Sequence, residues 1–161
     1  MKNKFISALL FSFIVAVATV IFLFSAQPAE VSGDMSLGLT EDIFSSVDGD
    51  GQIEHSLHML VRKGAHIAEF ALLAFLICAW LAYGWRDVPL YRHALIAWFC
   101  ATVYGASDEF HQIFVPGRGP SVKDVLIDAI GAALGVLALA VLCAIIRKRK
   151  EILLEKKERT N

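Results

Sequence analysis

Charge and the residues that staple small domains are both scarce in this 161-residue chain: 19% of it is charged, and it holds three cysteines and four prolines. Cys78, Cys100 and Cys143 all lie in apolar runs and form no C-x-x-C pair, so neither a disulfide framework nor a zinc site is expected. They read as small core hydrophobes. The formal net charge of -1 excludes a basic nucleic-acid binder as a whole-chain property, and no nucleic-acid partner is expected. No cofactor and no metal is expected either. What the chain has in excess is apolar: 57% of it is hydrophobic, against about 45–50% for a globular domain. Its length allows one domain.

Four segments are apolar and long enough, or nearly so, to cross a hydrocarbon core of about 30 Å: residues 5–24, 64–83, 94–115 and 125–146. In lipid only helices satisfy every backbone group over such lengths, so an all-α integral membrane bundle of four transmembrane helices is expected. The first segment exceeds a signal-peptide core, and Phe24, Ser25 and Ala26 make a poor cleavage site, so it is read as a retained span. With the N-terminus inside, the cytoplasmic pieces carry Lys2, Lys4, Arg86, Arg92, Arg147, Lys148, Arg149, Lys150, Lys156, Lys157 and Arg159. The outer pieces carry only Arg62, Lys63, Arg118 and Lys123. That bias is the positive-inside pattern, and it puts both termini in the cytoplasm. Trp80, Tyr83, Trp85 and Tyr91 form the interfacial belt at the inner turn.

The outer loop, residues 25–63, is acidic through Glu30, Asp34, Glu41, Asp42, Asp48, Asp50 and Glu54. The stretch from Asp48 to Glu54 imitates the middle of a calcium loop, yet Ser46 and Leu57 stand where its anchoring carboxylates belong, so a turn is the better reading. Ile53, Leu57, Leu60 and Val61 recur at helical spacing and predict an amphipathic helix feeding the second span, with His55 and His58 on its surface. The basic tail, residues 147–161, suits the anionic inner leaflet.

Ionisable residues inside spans carry the functional information, because each is costly there without a partner or water. Arg62, His66 and Glu69 share one face of the second span. Asp108 and Gln112 share a face of the third, with His111 beside them, Tyr104 one turn below, and Glu109 rotated towards another neighbour. Asp124, Asp128, Gly131 and Gly135 line one stripe of the fourth. All these clusters fall at the outer ends of their helices, so one outward-facing polar pocket can gather them. Between the last two spans, Gly117 and Gly119 permit close backbone approach around Arg118. Ser121 and Asp124 have capping-box spacing, so a basic loop ends at a helix N-terminus, where an anion is favoured. A tight turn with a snorkelling arginine explains the same residues about as well. Gly131 and Gly135 form a G-x-x-x-G that seats another span of the same chain in preference to a second copy, although an oligomer stays open.

Ser25, Ala26, Gln27 and Pro28, the run from Arg62 to Phe70 with His66 and Glu69, and above all the run from Ser107 to Arg118 resemble the VanZ-like family of bacterial membrane proteins. The likeness continues through Ser121, Asp124, Asp128 and Gly131, and departs at Asp128, where the family pattern often carries Asn. The family is named for a member associated with resistance to the glycopeptide teicoplanin. The resemblance implies a multi-pass protein of the bacterial cytoplasmic membrane and cell envelope, without supplying a mechanism.

Two functions follow as expectations. One is a binder of an anionic lipid headgroup or lipid-linked cell-wall precursor, with Arg62, His66, Glu69, Asp108, Glu109, Gln112, Arg118, Ser121, Asp124 and Asp128 as candidate ligand-binding residues. Its partners would be membrane lipids. The alternative is an intramembrane hydrolase or transferase acting on a prenyl-phosphate or phospholipid, with His66, Glu69, Asp108, Glu109 and His111 as candidate catalytic residues. No G-x-S-x-G surrounds Ser107 or Ser121, and His66-x-x-Glu69 is too short a signal for a metal. A transporter would need to oligomerise, having four spans and no internal repeat.

Overall fold

A computed structural model describes residues 3–28, 51–119 and 121–159, and only the backbone of 51–59. The acidic residues from Glu30 to Asp50, the start of the calcium-like stretch, the side chains of His55 and His58, and Pro120 lie outside the described residues. Four helices are present: α1 Lys4–Ser25, α2 Gly51–Gly84, α3 Leu90–Gln112 and α4 Val122–Glu158, with no strand among the described residues.

Helix α1 follows its hydropathy-based bounds to within a residue at each end, and the other three differ from theirs for local reasons. The helix expected ahead of the second span is continuous with it, so the acidic loop ends by Gly51 and not at residue 63. Pro89 sets the start of α3, because its fixed φ suits an entry to a helix and it lacks an N–H to satisfy. At the other end α3 stops at Gln112, where residues 113–115 turn into the loop. No Gly or Pro separates Ile146 from Glu158, so the tail continues α4 as helix. At 1.5 Å per residue its 37 residues reach about 55 Å. This exceeds the about 30 Å hydrocarbon thickness, so the tail extends α4 beyond a bilayer core.

Contacts fix the directions. Asn3 at the start of α1 meets Tyr83 at the end of α2, and Trp80 donates to Ser7 Oγ at 3.2 Å, so α1 and α2 are antiparallel. Tyr104 donates to the Ala18 carbonyl at 2.7 Å and Gln112 reaches Ser25, so α3 runs alongside α1. Gly131 lies against Ile67 and Gly135 against Ala71, which makes α4 parallel to α2. A Cβ on Gly131 would stand 2.6 Å from the Ile67 carbonyl oxygen, and one on Gly135 would overlap the Ala71 carbonyl oxygen. The G-x-x-x-G therefore seats a helix of its own chain.

Phe70, Leu73, Ala74, Ala101, Ala132 and Ile21 form the core at the polar end, and Cys78, Ala97 and Leu139 form a second cluster further along. Outside them the surface is apolar: Phe13, Phe99, Leu95, Leu137 and Ile130 are among many large side chains left exposed. So many large apolar side chains left exposed along helices of this length mark an interaction or membrane-facing surface. Helices α1, α2 from Leu60 and α4 are long and apolar enough to cross a membrane. At the opposite end from the polar cluster, Trp80 packs edge-on against Trp85, Arg86 lies over Tyr83 and Arg92 over Tyr91. Trp80, Tyr83, Trp85 and Tyr91 therefore cluster at the end of the bundle where the sequence predicts an interfacial belt.

Candidate functional site

The polar end is assembled by α2, α3 and α4 together with the loop at residues 113–121. Pro116 and Gly117 occupy the middle of a turn closed by the Arg118 N–H donating to the Val115 carbonyl at 3.1 Å. Gly117 takes φ 76°, the conformation a type II turn requires after Pro. The turn folds Arg118 back over the helices, where its guanidinium donates to the Phe24 carbonyl at 3.2 Å while Nε stays buried without a partner.

Arg62, Lys63, His66, Gly117, Arg118, Gly119, Asp124, Ile127 and Asp128 line a cavity of about 200 Å³. Ligand pockets commonly span about 300–1,000 Å³, so this one suits a headgroup-sized moiety rather than a whole lipid. Three permanent cations face two carboxylates there. Partial burial draws the Arg118 guanidinium below its ordinary value, and the charge of Arg62 acts in the same direction, against Asp108 and Glu109. A cation held half out of water beside another cation is stabilised by an anion.

Asp128 forms the inner wall. It is 0% exposed, and neither carboxylate oxygen accepts a hydrogen bond from the described residues. His66 Nδ1 stands 3.4 Å from Asp128 Oδ1, within ion-pair range but without hydrogen-bond alignment. Gly105 makes room for this carboxylate: a Cβ there would stand 3.0 Å from Asp128 Oδ2.

The remaining candidates brace the site from behind. Gln112 is buried and donates to Ser25 Oγ at 3.0 Å and to Asp108 Oδ2 at 3.2 Å, tying the ends of α1 and α3 together. Glu109 is buried and accepts the Ser121 N–H at 2.8 Å. That bond changes the expectation for the start of α4. Ser121 is the N-cap residue, but its side chain makes no capping bond, and the N–H that Asp124 would have reached in a capping box is held by Glu109 from α3. The Ser121 N–H is therefore not free for a ligand. Glu69 is half-buried and does not line the cavity, and His111 packs on Phe22 with ring centroids 4.8 Å apart.

Of the ten candidate ligand-binding residues, Arg62, His66, Arg118, Asp124 and Asp128 face the cavity, whereas Gln112, Asp108, Glu109 and Ser121 form its supporting frame. Lys63 lines the cavity without having been a candidate, and its place beside Arg62 was the available signal. Ser25 was legible only as part of a motif, because its role depends on Gln112 from another helix. No group of three or more His, Cys, Asp or Glu side chains among the described residues is arranged to hold a metal ion.

An apolar helical bundle that brings ionisable side chains from three helices and a loop around a small cation-rimmed cavity defines a membrane protein with a polar site. A family model described as VanZ/LLP1 matches residues 10–145, and the chain belongs to that family. No curated protein and no solved structure matches it.

Proposed function

We propose that this chain crosses the bacterial cytoplasmic membrane four times, with both termini inside, and binds the anionic group of a lipid or lipid-linked cell-wall precursor in an outward-facing cavity. The observation that carries the reading is the meeting of Arg62 and Lys63 from α2 with Arg118 from the loop, around one cavity closed by the first turns of α4. An arginine fork matches phosphate or carboxylate, and its strength rises where water is excluded. The fourth crossing is supported by α3, whose 23 residues reach about 34 Å and whose polar end is buried against the other helices. A role in glycopeptide resistance would follow from altered access of drug to target. Arg118→Ala is expected to lose lipid on purification and any effect on teicoplanin susceptibility, while unchanged lipid content and susceptibility would refute the reading. A reporter after Asn161 should be cytoplasmic and one beside Asp48 external.

The approach of His66 to Asp128 favours a second reading, an intramembrane hydrolase or transferase in which a carboxylate orients the imidazole as general base or nucleophile. Among the described residues no Ser, Thr or Cys lines the cavity, so His66 itself or an activated water would attack. Release of phosphate from a prenyl-phosphate or phospholipid, abolished in His66→Ala, supports it; absence of turnover on both substrates removes it.

A further inference from the structure

The cavity is bipolar. Its rim is cationic through Arg62, Lys63 and Arg118, and Arg118 Nε is buried without a partner. Its inner wall is anionic: Asp128 is fully buried with two oxygens that accept nothing from the described residues, and the Asp108 Oδ1 behind it is also unpartnered. His66 Nδ1 stands 3.4 Å from Asp128 Oδ1 without hydrogen-bond alignment, and burying a carboxylate without hydrogen bonds is strongly unfavourable, so the site is short of donors at Asp128 as well as of an anion at the rim. A purely anionic ligand satisfies the rim but meets Asp128 and Asp124 as like charges. A simple cation satisfies Asp128 but must pass three positive side chains. A metal ion is a poor fit, because among the described residues no three His, Cys, Asp or Glu side chains are grouped to coordinate one.

Both demands are met by one small group that carries an anion and a hydrogen-bonding cation a few atoms apart. A primary ammonium supplies three donors, enough for both Asp128 oxygens, whereas a quaternary ammonium supplies none. Ile127 contributes an apolar patch to the cavity, and its α4 neighbours Leu126 and Ile130 are exposed on the apolar surface, so acyl chains attached to the group could remain outside.

We propose that the cavity takes a zwitterionic headgroup of the phosphoethanolamine type, with its phosphate on Arg62, Lys63 and Arg118 and its primary ammonium against Asp128. The assignment rests on the anion-binding reading above and names its ligand class. Asp128 is then the specificity-determining residue.

The test is native mass spectrometry of the full chain offered phosphatidylethanolamine, its N-methyl and N,N-dimethyl forms, phosphatidylcholine and phosphatidylglycerol. Wild-type affinity is expected to hold in the N-methyl form, which keeps two N–H donors for the two Asp128 oxygens, and to fall in the N,N-dimethyl form and again in phosphatidylcholine. Phosphatidylethanolamine and phosphatidylcholine should differ by at least about 10- to 100-fold, the worth of one of the two charge-assisted hydrogen bonds lost. Asp128→Asn should bring phosphatidylethanolamine down to the phosphatidylglycerol level, and Arg118→Ala should weaken all five lipids. Equal wild-type binding of phosphatidylethanolamine and phosphatidylglycerol, with Arg118→Ala weakening both, overturns the ammonium assignment and leaves the anion reading standing. Binding of every lipid unchanged in the Arg62→Ala, Arg118→Ala double variant overturns the anion reading itself. Full displacement of lipid by water-soluble glycerophosphoethanolamine at equal concentration overturns the lipid source. The methylation series uses only wild-type protein, so the proposal is exposed to failure even if the Asp128 variant does not fold.

Discussion

Replacing Gly135 by Ala tests the helix contact that holds the two halves of the cavity together. Arg62 and His66 come from α2, Asp124 and Asp128 from α4, and these helices meet where Gly131 and Gly135 lie on the carbonyls of Ile67 and Ala71. An added methyl at Gly131 would need to retreat from 2.6 Å to ordinary contact, and one at Gly135 further still. The neighbouring atom is backbone in both cases, so the helices must separate rather than a side chain swing away. A radial gap of about 0.5–1 Å forfeits roughly a quarter to a half of the dispersion energy along a contact. Overpacking of this kind costs about 1–3 kcal/mol.

Gly64 supplies the control within α2, because a Cβ there meets nothing within 4 Å. Gly64→Ala should gain up to about 1 kcal/mol from helix propensity alone. Gly135→Ala gains the same propensity, so the two variants are expected to differ by the overpacking cost of about 1–3 kcal/mol, which at about 2–4 °C per kcal/mol separates their melting midpoints by roughly 2–12 °C. Thermal unfolding in detergent, followed by helical circular dichroism, measures the difference. A Gly135→Ala protein that melts with or above Gly64→Ala would refute the seat.

Two hydrogen bonds between helices give further predictions. Glu109→Ala should lose about 1.5–3 kcal/mol, because the carboxylate that accepts the Ser121 N–H disappears; Glu109→Gln retains an acceptor and should lose less, by the same melting assay. Tyr104→Phe removes the hydroxyl that donates to the Ala18 carbonyl and should cost about 0.5–1.5 kcal/mol without changing lipid binding, since Tyr104 lies outside the cavity.

The four helices were legible because the apolar runs are long and charged residues fall at their ends rather than in their middles. Their bounds were less so. Hydropathy ends the fourth segment at Ile146, whereas the backbone continues through a tail of good helix formers with no breaker. Helical spacing placed His66 with Glu69 and Asp124 with Asp128, yet it is silent on which face of one helix meets which face of another. The carboxylate that meets His66 is Asp128 rather than Glu69 or Asp108, because Gly131 and Gly135 bring α4 against α2. The capping box failed for a similar reason. The local pattern at Ser121 and Asp124 was sound, but Glu109 from α3 occupies the N–H it required.

The central claim is that the cavity presents positive potential to the outside of the membrane, and thiol labelling at Gly119 tests it most directly. Gly119 lines the cavity, a Cβ there meets open space, and its backbone is not in the positive-φ region. Gly119→Cys is made in a chain whose Cys78, Cys100 and Cys143 are replaced by alanine, and intact cells are treated with membrane-impermeant thiosulfonates of either charge. After correction for intrinsic reactivity, the anionic reagent should react about tenfold faster than the cationic one, a difference of about 1.4 kcal/mol between the two and so about 0.7 kcal/mol of local potential per unit charge. Arg62→Ala with Arg118→Ala should remove that preference. Faster reaction with the cationic reagent, or no labelling from outside, would contradict the account.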